Sequence, residues 1–234
     1  MAAPPGSVFR APDYADRVAE REACLVDVYD TLLNCDFVAH RTELPTLAGL
    51  TPEAWGAGYS QVRAALGTGQ LSKAEGFEQI LLTGGALARP ELVRALVELD
   101  RELLLGSARL YDDALPFLRA MRSRGIKIAI VSNCSEHTRD LLENNGVAAL
   151  ADTLVLSYEV GAEKPAAEIF TYALDQLGVP AGRAVFVDDQ PSYCAGAAHM
   201  GITAVQIARG ELDGKVPAEG TTVVRSLSGV TAMF

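Results

Sequence analysis

The sequence has no long hydrophobic run. No segment approaches the roughly 18 consecutive apolar residues of a membrane-spanning helix, and the start of the chain has no basic segment followed by an apolar core, so we expect neither membrane association nor a secretory signal. Apolar residues nevertheless make up 49% of the 234 residues. A chain of this length and composition is expected to be globular, with a sizeable core.

Cysteine is scarce, and the few cysteines are widely separated. The chain has four of them and no CxxC pair, and its three histidines show no metal-ligand spacing. A zinc site and a disulfide framework are therefore not predicted. A reducing cytoplasm is the expected location. The cysteines are Cys24, Cys35, Cys134 and Cys194.

Basic residues are also in short supply. Thirty acidic residues against 20 basic ones give a formal charge of −10, which disfavours nonspecific binding to nucleic acid through a basic surface. We expect no nucleic-acid partner. A small anionic substrate is still compatible with this charge, because a bound metal ion or a local cation reverses the field within one pocket.

The most informative stretch begins at Cys24. Residues 24–26 are apolar without helical spacing, which predicts a strand of a parallel sheet that is covered on both faces. Asp27 follows directly, and open α/β sheets bind ligands beyond the carboxyl ends of their strands. Alternatively, Asp27 and Asp30 do no more than cap the following turn. This stretch alone leaves both interpretations open.

Residues 36–106 predict helices and no strand. Three helices are expected, at 51–66, 72–82 and 89–105, and Ser72 with Glu75 has the form of a capping box. Leucines at positions 92, 96, 99 and 103 give the third helix one apolar stripe. We predict a helical insertion that packs as a small bundle.

The remainder alternates helix and strand. Strands are predicted at 126–131, 153–156, 184–187 and 202–207, with an edge strand at 222–224 after a surface loop at 210–220. Helices are predicted at 112–124, 136–145, 165–177 and 191–200. This alternation predicts an α/β fold with a parallel sheet and right-handed crossovers. Residues 1–20 are interpreted as an N-terminal tail with a short helix near 14–20.

Polar residues follow several of the predicted strands. Ser132 and Asn133 follow the second strand, Lys164 precedes the helix predicted to begin at Pro165, and the pair Asp188 and Asp189 follows the fourth strand. In a parallel sheet these strand ends lie at one edge, together with Asp27. Carboxylates brought together repel one another, and a hard divalent cation with oxygen ligands, Mg²⁺ above all, removes that repulsion.

Such a site suits phosphoryl transfer. Lys164 and the Ser132 hydroxyl would bind oxygens of an anionic substrate that the cation also neutralises. Asp27 would attack the phosphorus atom as a carboxylate nucleophile and form an acyl phosphate, which water then hydrolyses.

With these residues in this order, the sequence resembles the haloacid dehalogenase-like (HAD) superfamily. The family pattern has a nucleophilic Asp after strand one, a Ser or Thr after strand two, a Lys before a later helix, and an acidic pair after strand four. The matching residues here are Asp27, Ser132, Lys164 and Asp188-Asp189. The resemblance implies a Rossmann-like core, residues 21–35 and 107–234, and a helical cap, residues 36–106, that closes over the substrate.

The resemblance implies a Mg²⁺-dependent phosphatase that acts on a small phosphorylated metabolite, as a monomer or a homodimer. Asp27, Ser132 and Lys164 would be catalytic, and Ser132, Asn133 and Lys164 would hold the phosphate. Asp27, Asp188 and Asp189 would bind the metal, together with the backbone carbonyl of Tyr29.

Tyr29 departs from the phosphatase pattern, which has a second Asp there as general acid and base. Asp30, one residue later, is a candidate substitute. Tyr29 instead resembles the Asp-x-Tyr-Gly-Thr pattern of the metal-independent 2-haloacid dehalogenases, but these have Ser-Ser-Asn where this chain has Asp188-Asp189. We favour phosphatase activity. Dehalogenation and a catalytically weak ligand-binding protein are the alternatives.

Overall fold

The structure is a computed structural model that describes residues 21–210 and 216–234. The predicted N-terminal tail, with its short helix, and residues 211–215 of the predicted surface loop lie outside the described residues. Among the helices that are described, none is both long and apolar enough to cross a membrane.

A six-stranded parallel sheet forms the centre of the fold. Its strands are β1 (Ala23–Val26), β4 (Lys127–Ser132), β5 (Thr153–Leu156), β6 (Ala184–Asp188), β7 (Thr203–Ile207) and β8 (Thr222–Val224). They lie in the order β5-β4-β1-β6-β7-β8, with every neighbouring pair parallel. All six strands were expected from the sequence. The short antiparallel pair β2 (Leu33–Asn34) and β3 (Arg109–Leu110) was not, because two residues show no periodicity.

Four helices lie between β2 and β3. They are α1 (Val38–Ala48), α2 (Pro52–Gly67), α3 (Lys73–Thr83) and α4 (Pro90–Ser107), here called the inserted helices. They share a hydrophobic core of their own, to which Trp55, Phe77 and Leu96 contribute. The capping box of Ser72 and Glu75 is confirmed. Helix α1 was not predicted, because Pro45 stands inside it and proline usually ends a helix.

The remaining helices cover both faces of the sheet. They are α5 (Ala114–Ser123), α6 (Thr138–Asn144), α7 (Ser157–Val160), α8 (Ala167–Leu177), α9 (Pro191–His199) and α10 (Leu227–Thr231). Alternate residues of β1 enter two different cores: Cys24 and Val26 pack on one face, Ala23 and Leu25 on the other. The predicted α/β Rossmann-like fold is thereby confirmed.

Three helix starts were predicted two residues too early: α5 begins at Ala114 rather than at 112, α6 begins at Thr138 rather than at 136, and the third is that of α8. Helix α8 begins at Ala167 rather than at Pro165, since Ala166 at its N-cap is still extended, with φ −61° and ψ 142°. Residues 164–166 therefore form a turn, and this turn presents Lys164 to the ends of the strands. The single-turn helix α7 and the five-residue α10 were not predicted, because neither is long enough to show helical spacing.

Gly196 of α9 lies against the turn that carries Lys164. A Cβ atom there would lie 2.7 Å from both the Cβ and the carbonyl oxygen of Pro165. Gly196→Ala is expected to lower the free energy of unfolding by about 1–3 kcal/mol, as overpacking typically does. Gly56 of α2 faces open space, so Gly56→Ala is the control and is expected to stabilise by up to about 1 kcal/mol. Urea unfolding measures both, and equal stabilisation by both alanines would contradict the close packing.

Candidate active site

Three neighbouring strands bring the candidate residues to one edge of the sheet. Val26, the last residue of β1, pairs with Ile130 of β4 and Val187 of β6. The backbone N–H of Asp27 continues this register and donates to the carbonyl of Val187 at 2.9 Å. As a result, Asp27, Asp188 and Asp189 each place a carboxylate oxygen within 4.8 Å of the other two. The convergence expected from the parallel topology is present.

Lys164 bridges two of these carboxylates. Its Nζ donates to Asp27 Oδ1 and to Asp188 Oδ2, both at 2.6 Å, and to the carbonyl of Val131 at 2.9 Å. The residue is only 2% exposed. The rings of Phe186 and Tyr193 have their centroids 5.5 and 5.1 Å from Nζ. The ammonium is thus buried directly beside Asp27.

The buried acids are electrostatically unfavourable. Burial raises the pKa of Asp27 and raises that of Asp188 to about 7, and in both cases a neighbouring carboxylate adds to the increase while Lys164 opposes it. Burial also favours the neutral form of Lys164, but Asp188 and Asp27 outweigh it and raise the pKa of the ammonium.

The charges at this edge are therefore incompletely balanced. With all groups ionised, the three carboxylates and the Lys164 ammonium carry a formal charge of −2. A single divalent cation would neutralise this charge, and clustered carboxylate oxygens are the ligands that Mg²⁺ prefers. The donor set fits the predicted metal.

Ser132 and Asn133 take different places at this edge. The Ser132 hydroxyl is fully buried and has no hydrogen-bond partner among the described residues, whereas buried hydroxyls normally have one. Asn133 uses its amide on the backbone of Lys164: Oδ1 accepts from the Lys164 N–H at 2.7 Å and Nδ2 donates to its carbonyl at 2.8 Å. Any contact of Asn133 with phosphate would therefore come from its backbone, while its side chain positions Lys164.

Two glutamines were missed by the sequence analysis. The backbone N–H of Gln190 donates to Asp188 Oδ1 at 2.8 Å, and its side-chain Nε2 donates to Asp189 Oδ2 at 2.7 Å. Gln206 is buried in β7, and its Nε2 donates to the carbonyl of Asp189 at 3.3 Å. Both orient the acidic pair. For Gln206, the available signal was a glutamine between Val205 and Ile207 in strand β7.

The side chain of Tyr29 reaches α6 and the inserted helices. Its hydroxyl forms a 3.1 Å hydrogen bond with Thr138 Oγ1, and its ring centroid lies 5.9 Å from that of Phe37. Burial raises the pKa of Tyr29 far above its usual range, so the phenol stays protonated. Asp30 is exposed, with a left-handed φ of 56°, and is not one of the three clustered carboxylates. A metal contact through the Tyr29 carbonyl and an acid role for Asp30 stay predictions.

The inserted helices contact the core on two sides. Arg63 of α2 forms an ion pair with Glu163, next to Lys164, and Arg101 of α4 forms a 2.9 Å ion pair with Asp140 of α6. After α2, Gly69 has φ 66°, and a Cβ there would lie 1.9 Å from the carbonyl of Tyr158. The inserted helices therefore rest close to the strand ends at which the candidate residues lie.

The chain belongs to the haloacid dehalogenase-like hydrolases. The model of this family matches residues 22–201, a segment that includes every site residue predicted from the sequence. The family resemblance expected from the ordered motifs is confirmed.

The curated relatives of this chain include phosphatases, and its fold is shared with a dehalogenase. It is 32% identical to the glyceraldehyde 3-phosphate phosphatase of Methanopyrus kandleri over 143 residues, 60% of this chain and 61% of that protein. A HAD phosphatase structure from Thermococcus onnurineus is 26% identical and covers 91% of this chain and 97% of its own, with a TM-score of 0.68. The L-2-haloacid dehalogenase of Xanthobacter autotrophicus, at 19% identity, covers 91% of this chain and 98% of its own with a TM-score of 0.64. The fold alone therefore does not distinguish a phosphatase from a dehalogenase. That distinction depends on the residues of the site.

Proposed function

We propose that this chain is a Mg²⁺-dependent phosphatase that hydrolyses a small phosphorylated metabolite through a phosphorylated Asp27. The carboxylate cluster at the strand ends carries this proposal: Asp27, Asp188 and Asp189 meet there beside Lys164. The inserted helices would serve as the cap. Their contacts with the core on two sides of the strand ends support this role.

The reaction would proceed in two displacements at phosphorus. A carboxylate oxygen of Asp27 attacks the phosphorus atom, the bond to the ester oxygen breaks, and the leaving alkoxide takes up a proton. Water then attacks the phosphorus atom, which releases phosphate and restores the carboxylate. The Lys164 ammonium and the Ser132 hydroxyl bind the phosphoryl oxygens, and the Asn133 amide holds Lys164 in place.

A cation held by Asp27, Asp188, Asp189 and the Tyr29 carbonyl would neutralise negative charge on the site and on the phosphoryl group. Without the cation, Lys164 alone would balance the negative charge of the carboxylates and the phosphoryl group, and it already donates to two carboxylates. Phosphate binding is therefore expected to require the cation.

Protonation of the leaving group is the weak step. Tyr29 occupies the place of the usual second Asp, and its hydroxyl is hydrogen-bonded to Thr138. General acid catalysis typically contributes about 10²–10⁴-fold. Esters whose leaving group needs no proton, such as aryl phosphates, should consequently react faster than alkyl esters.

Dehalogenation is the second candidate, and Tyr29 is the observation that favours it. The acidic pair opposes it, because two more carboxylates beside the nucleophile would repel the negatively charged 2-haloacid substrate and leave the site without its balancing cation. The third alternative, a protein that binds a phosphorylated ligand without turnover, does not explain why a carboxylate in the position of a nucleophile is held beside Lys164.

One assay separates the three alternatives. Purified protein is incubated with an aryl phosphate, with small alkyl phosphates and with 2-chloropropionate, each with Mg²⁺ or with a chelator. Phosphate release that requires Mg²⁺ is the expected result. Chelator-resistant halide release would show a dehalogenase, and tight binding of a phosphate ester without turnover would show a binding protein.

A further inference from the structure

A second polar cluster, built around the buried ion pair of Lys73 and Asp100, lies where the inserted helices meet the core. This junction cluster consists of His40 on α1, Lys73 on α3, Asp100 on α4, and His137 in the loop before α6. His137 belongs to it because the charges of Asp100 and Lys73 act on the pKa of its imidazole. Lys73 Nζ lies 2.8 Å from Asp100 Oδ2, and His40 Nε2 lies 4.0 Å from Asp100 Oδ1. Lys73 and Asp100 are only 6% and 5% exposed.

Folding alone does not account for this cluster. The neighbouring core of the inserted helices is apolar, and replacing a buried ion pair by apolar residues is often neutral or stabilising. Two ring nitrogens, His40 Nδ1 and His137 Nε2, are buried without a hydrogen-bond partner among the described residues, although such groups are normally satisfied. The two unpaired ring nitrogens are groups that a polar ligand would satisfy.

The backbone at His137 gives a further indication. His137 has a left-handed φ of 74°, which is uncommon for a residue other than glycine. Strained backbone of this kind is concentrated at ligand-binding and active sites. His137 is also the member of the cluster that the core contributes, five residues after Ser132.

Tyr29 connects the junction cluster to the nucleophile loop in two ways. On one side, the Tyr29 ring packs near Phe37, whose ring lies 5.3 Å from that of His40. On the other side, the Tyr29 hydroxyl bonds to Thr138, the residue after His137. Because Tyr29 is two residues from Asp27, these contacts join the cluster to the loop that carries the proposed nucleophile.

The chemistry of the cluster suits a neutral polar group. Lys73 and Asp100 compensate each other's charge. Burial lowers the pKa of both His40 and His137, so each imidazole is neutral near pH 7 and offers one donor and one acceptor. A second anionic group on the substrate would meet Asp100 without an unpaired cation to balance it, whereas hydroxyl groups match a mixed set of donors and acceptors.

We propose that the junction cluster is a specificity subsite that hydrogen-bonds the hydroxyl groups of the substrate, and that the substrate is a phosphate ester of a polyol or sugar. The inference rests on the proposed phosphatase function and adds the class of leaving group to it.

Three esters of similar size test this proposal: n-propyl phosphate, glycerol 3-phosphate and 3-phosphoglycerate. We expect kcat/KM for glycerol 3-phosphate to exceed that for each of the other two by about tenfold or more, because unmade hydrogen bonds to buried groups are costly. Equal values for glycerol 3-phosphate and n-propyl phosphate would overturn the proposal, and so would a preference for 3-phosphoglycerate. If the protein releases no phosphate even from an aryl phosphate, the proposed function itself fails, a result distinct from both.

Two variants assign the preference to the cluster. His40→Phe keeps the ring beside Phe37 but removes both nitrogens, and the double variant Lys73→Met, Asp100→Leu removes the ion pair without leaving a lone buried charge. Each is expected to lower the ratio of kcat/KM for glycerol 3-phosphate to that for n-propyl phosphate by about tenfold. If the double variant does not fold, the ratio measured for His40→Phe alone tests the assignment of the subsite.

The control removes an exposed ion pair on α4, the inserted helix that also carries Asp100. Glu91 and Arg94 of α4 lie 3.5 Å apart with side chains 76% and 72% exposed, and Glu91→Gln with Arg94→Gln is expected to leave the ratio unchanged. A ratio that is also unchanged in folded His40→Phe would overturn the assignment of the subsite.

Discussion

Asp27→Asn is expected to lower kcat/KM for phosphate release by about 10⁴-fold or more, the scale of loss that follows removal of a catalytic nucleophile. The asparagine amide has nearly the same shape as the carboxylate but carries no anionic oxygen that could form the acyl phosphate. It also removes one of the three clustered carboxylates that we propose bind the metal. Both effects reduce turnover, and neither requires a change in the fold.

The stability of the same variant is expected to be unchanged or higher. Asp27 is buried beside two other carboxylates, and burial raises its pKa, which shows that its ionised form is disfavoured in the folded protein. Its replacement leaves Lys164 paired with Asp188. Thermal unfolding in chelator, compared with the wild type, measures this directly.

Asp175→Asn provides the matched control, because Asp175 is an exposed acid on α8. It makes the same chemical change away from the carboxylate cluster, and we expect wild-type turnover. An Asp27→Asn variant that is folded and retains a tenth of the wild-type rate would show that Asp27 is not the nucleophile.

The sheet and its active edge were predictable because each central strand is an apolar run followed by a polar residue. Val26 precedes Asp27, Val187 precedes Asp188, and the parallel register then aligns these positions. Elements that lack such a pattern were missed. Helix α1 contains Pro45, and β2 and β3 have two residues each, so local sequence carried no signal for them.

The hydrogen-bond partners of the site residues were less predictable than the places of these residues in the fold. Asn133 was expected to face phosphate, yet its amide pairs with the backbone of Lys164, 31 residues away in the sequence. The junction cluster joins four separate segments, and none of its members stands out by spacing. Such contacts depend on how the inserted helices pack on the core, and short-range periodicity does not contain that information.

Lys164→Met is expected to cause the largest loss of stability. In chelator, the free energy of unfolding should fall by about 3–5 kcal/mol, the usual cost of removing one partner from a buried ion pair. The loss arises because Asp27 and Asp188 stay buried without the ammonium that bridges them at 2.6 Å. Turnover should be lost as well, since the lysine also binds the phosphoryl group in the proposed reaction.

Lys127→Met is the control for this variant. Lys127 lies on β4, and its Nζ donates to the carbonyl of Leu177 at 2.6 Å without bridging buried acids. Loss of that hydrogen bond should cost about 1 kcal/mol. A comparable loss in both variants would show that the bridge between the carboxylates contributes nothing beyond an ordinary lysine contact.

The pH and metal dependence of Lys164→Met identify the cause of its instability. The pKa of Asp188 is already raised to about 7 with the lysine present, and it should rise further without it. An acid whose pKa is higher in the folded state binds more protons there than in the unfolded state, so the free energy of unfolding increases as the pH falls. The variant should therefore recover stability between about pH 8 and pH 5, and Mg²⁺ should restore part of it at pH 8 by replacing the missing positive charge. The alternative result is a loss of unfolding free energy that is equal at pH 8 and pH 5 and unaffected by Mg²⁺. It would mean that lost packing, and not uncompensated carboxylate charge, destabilises the variant.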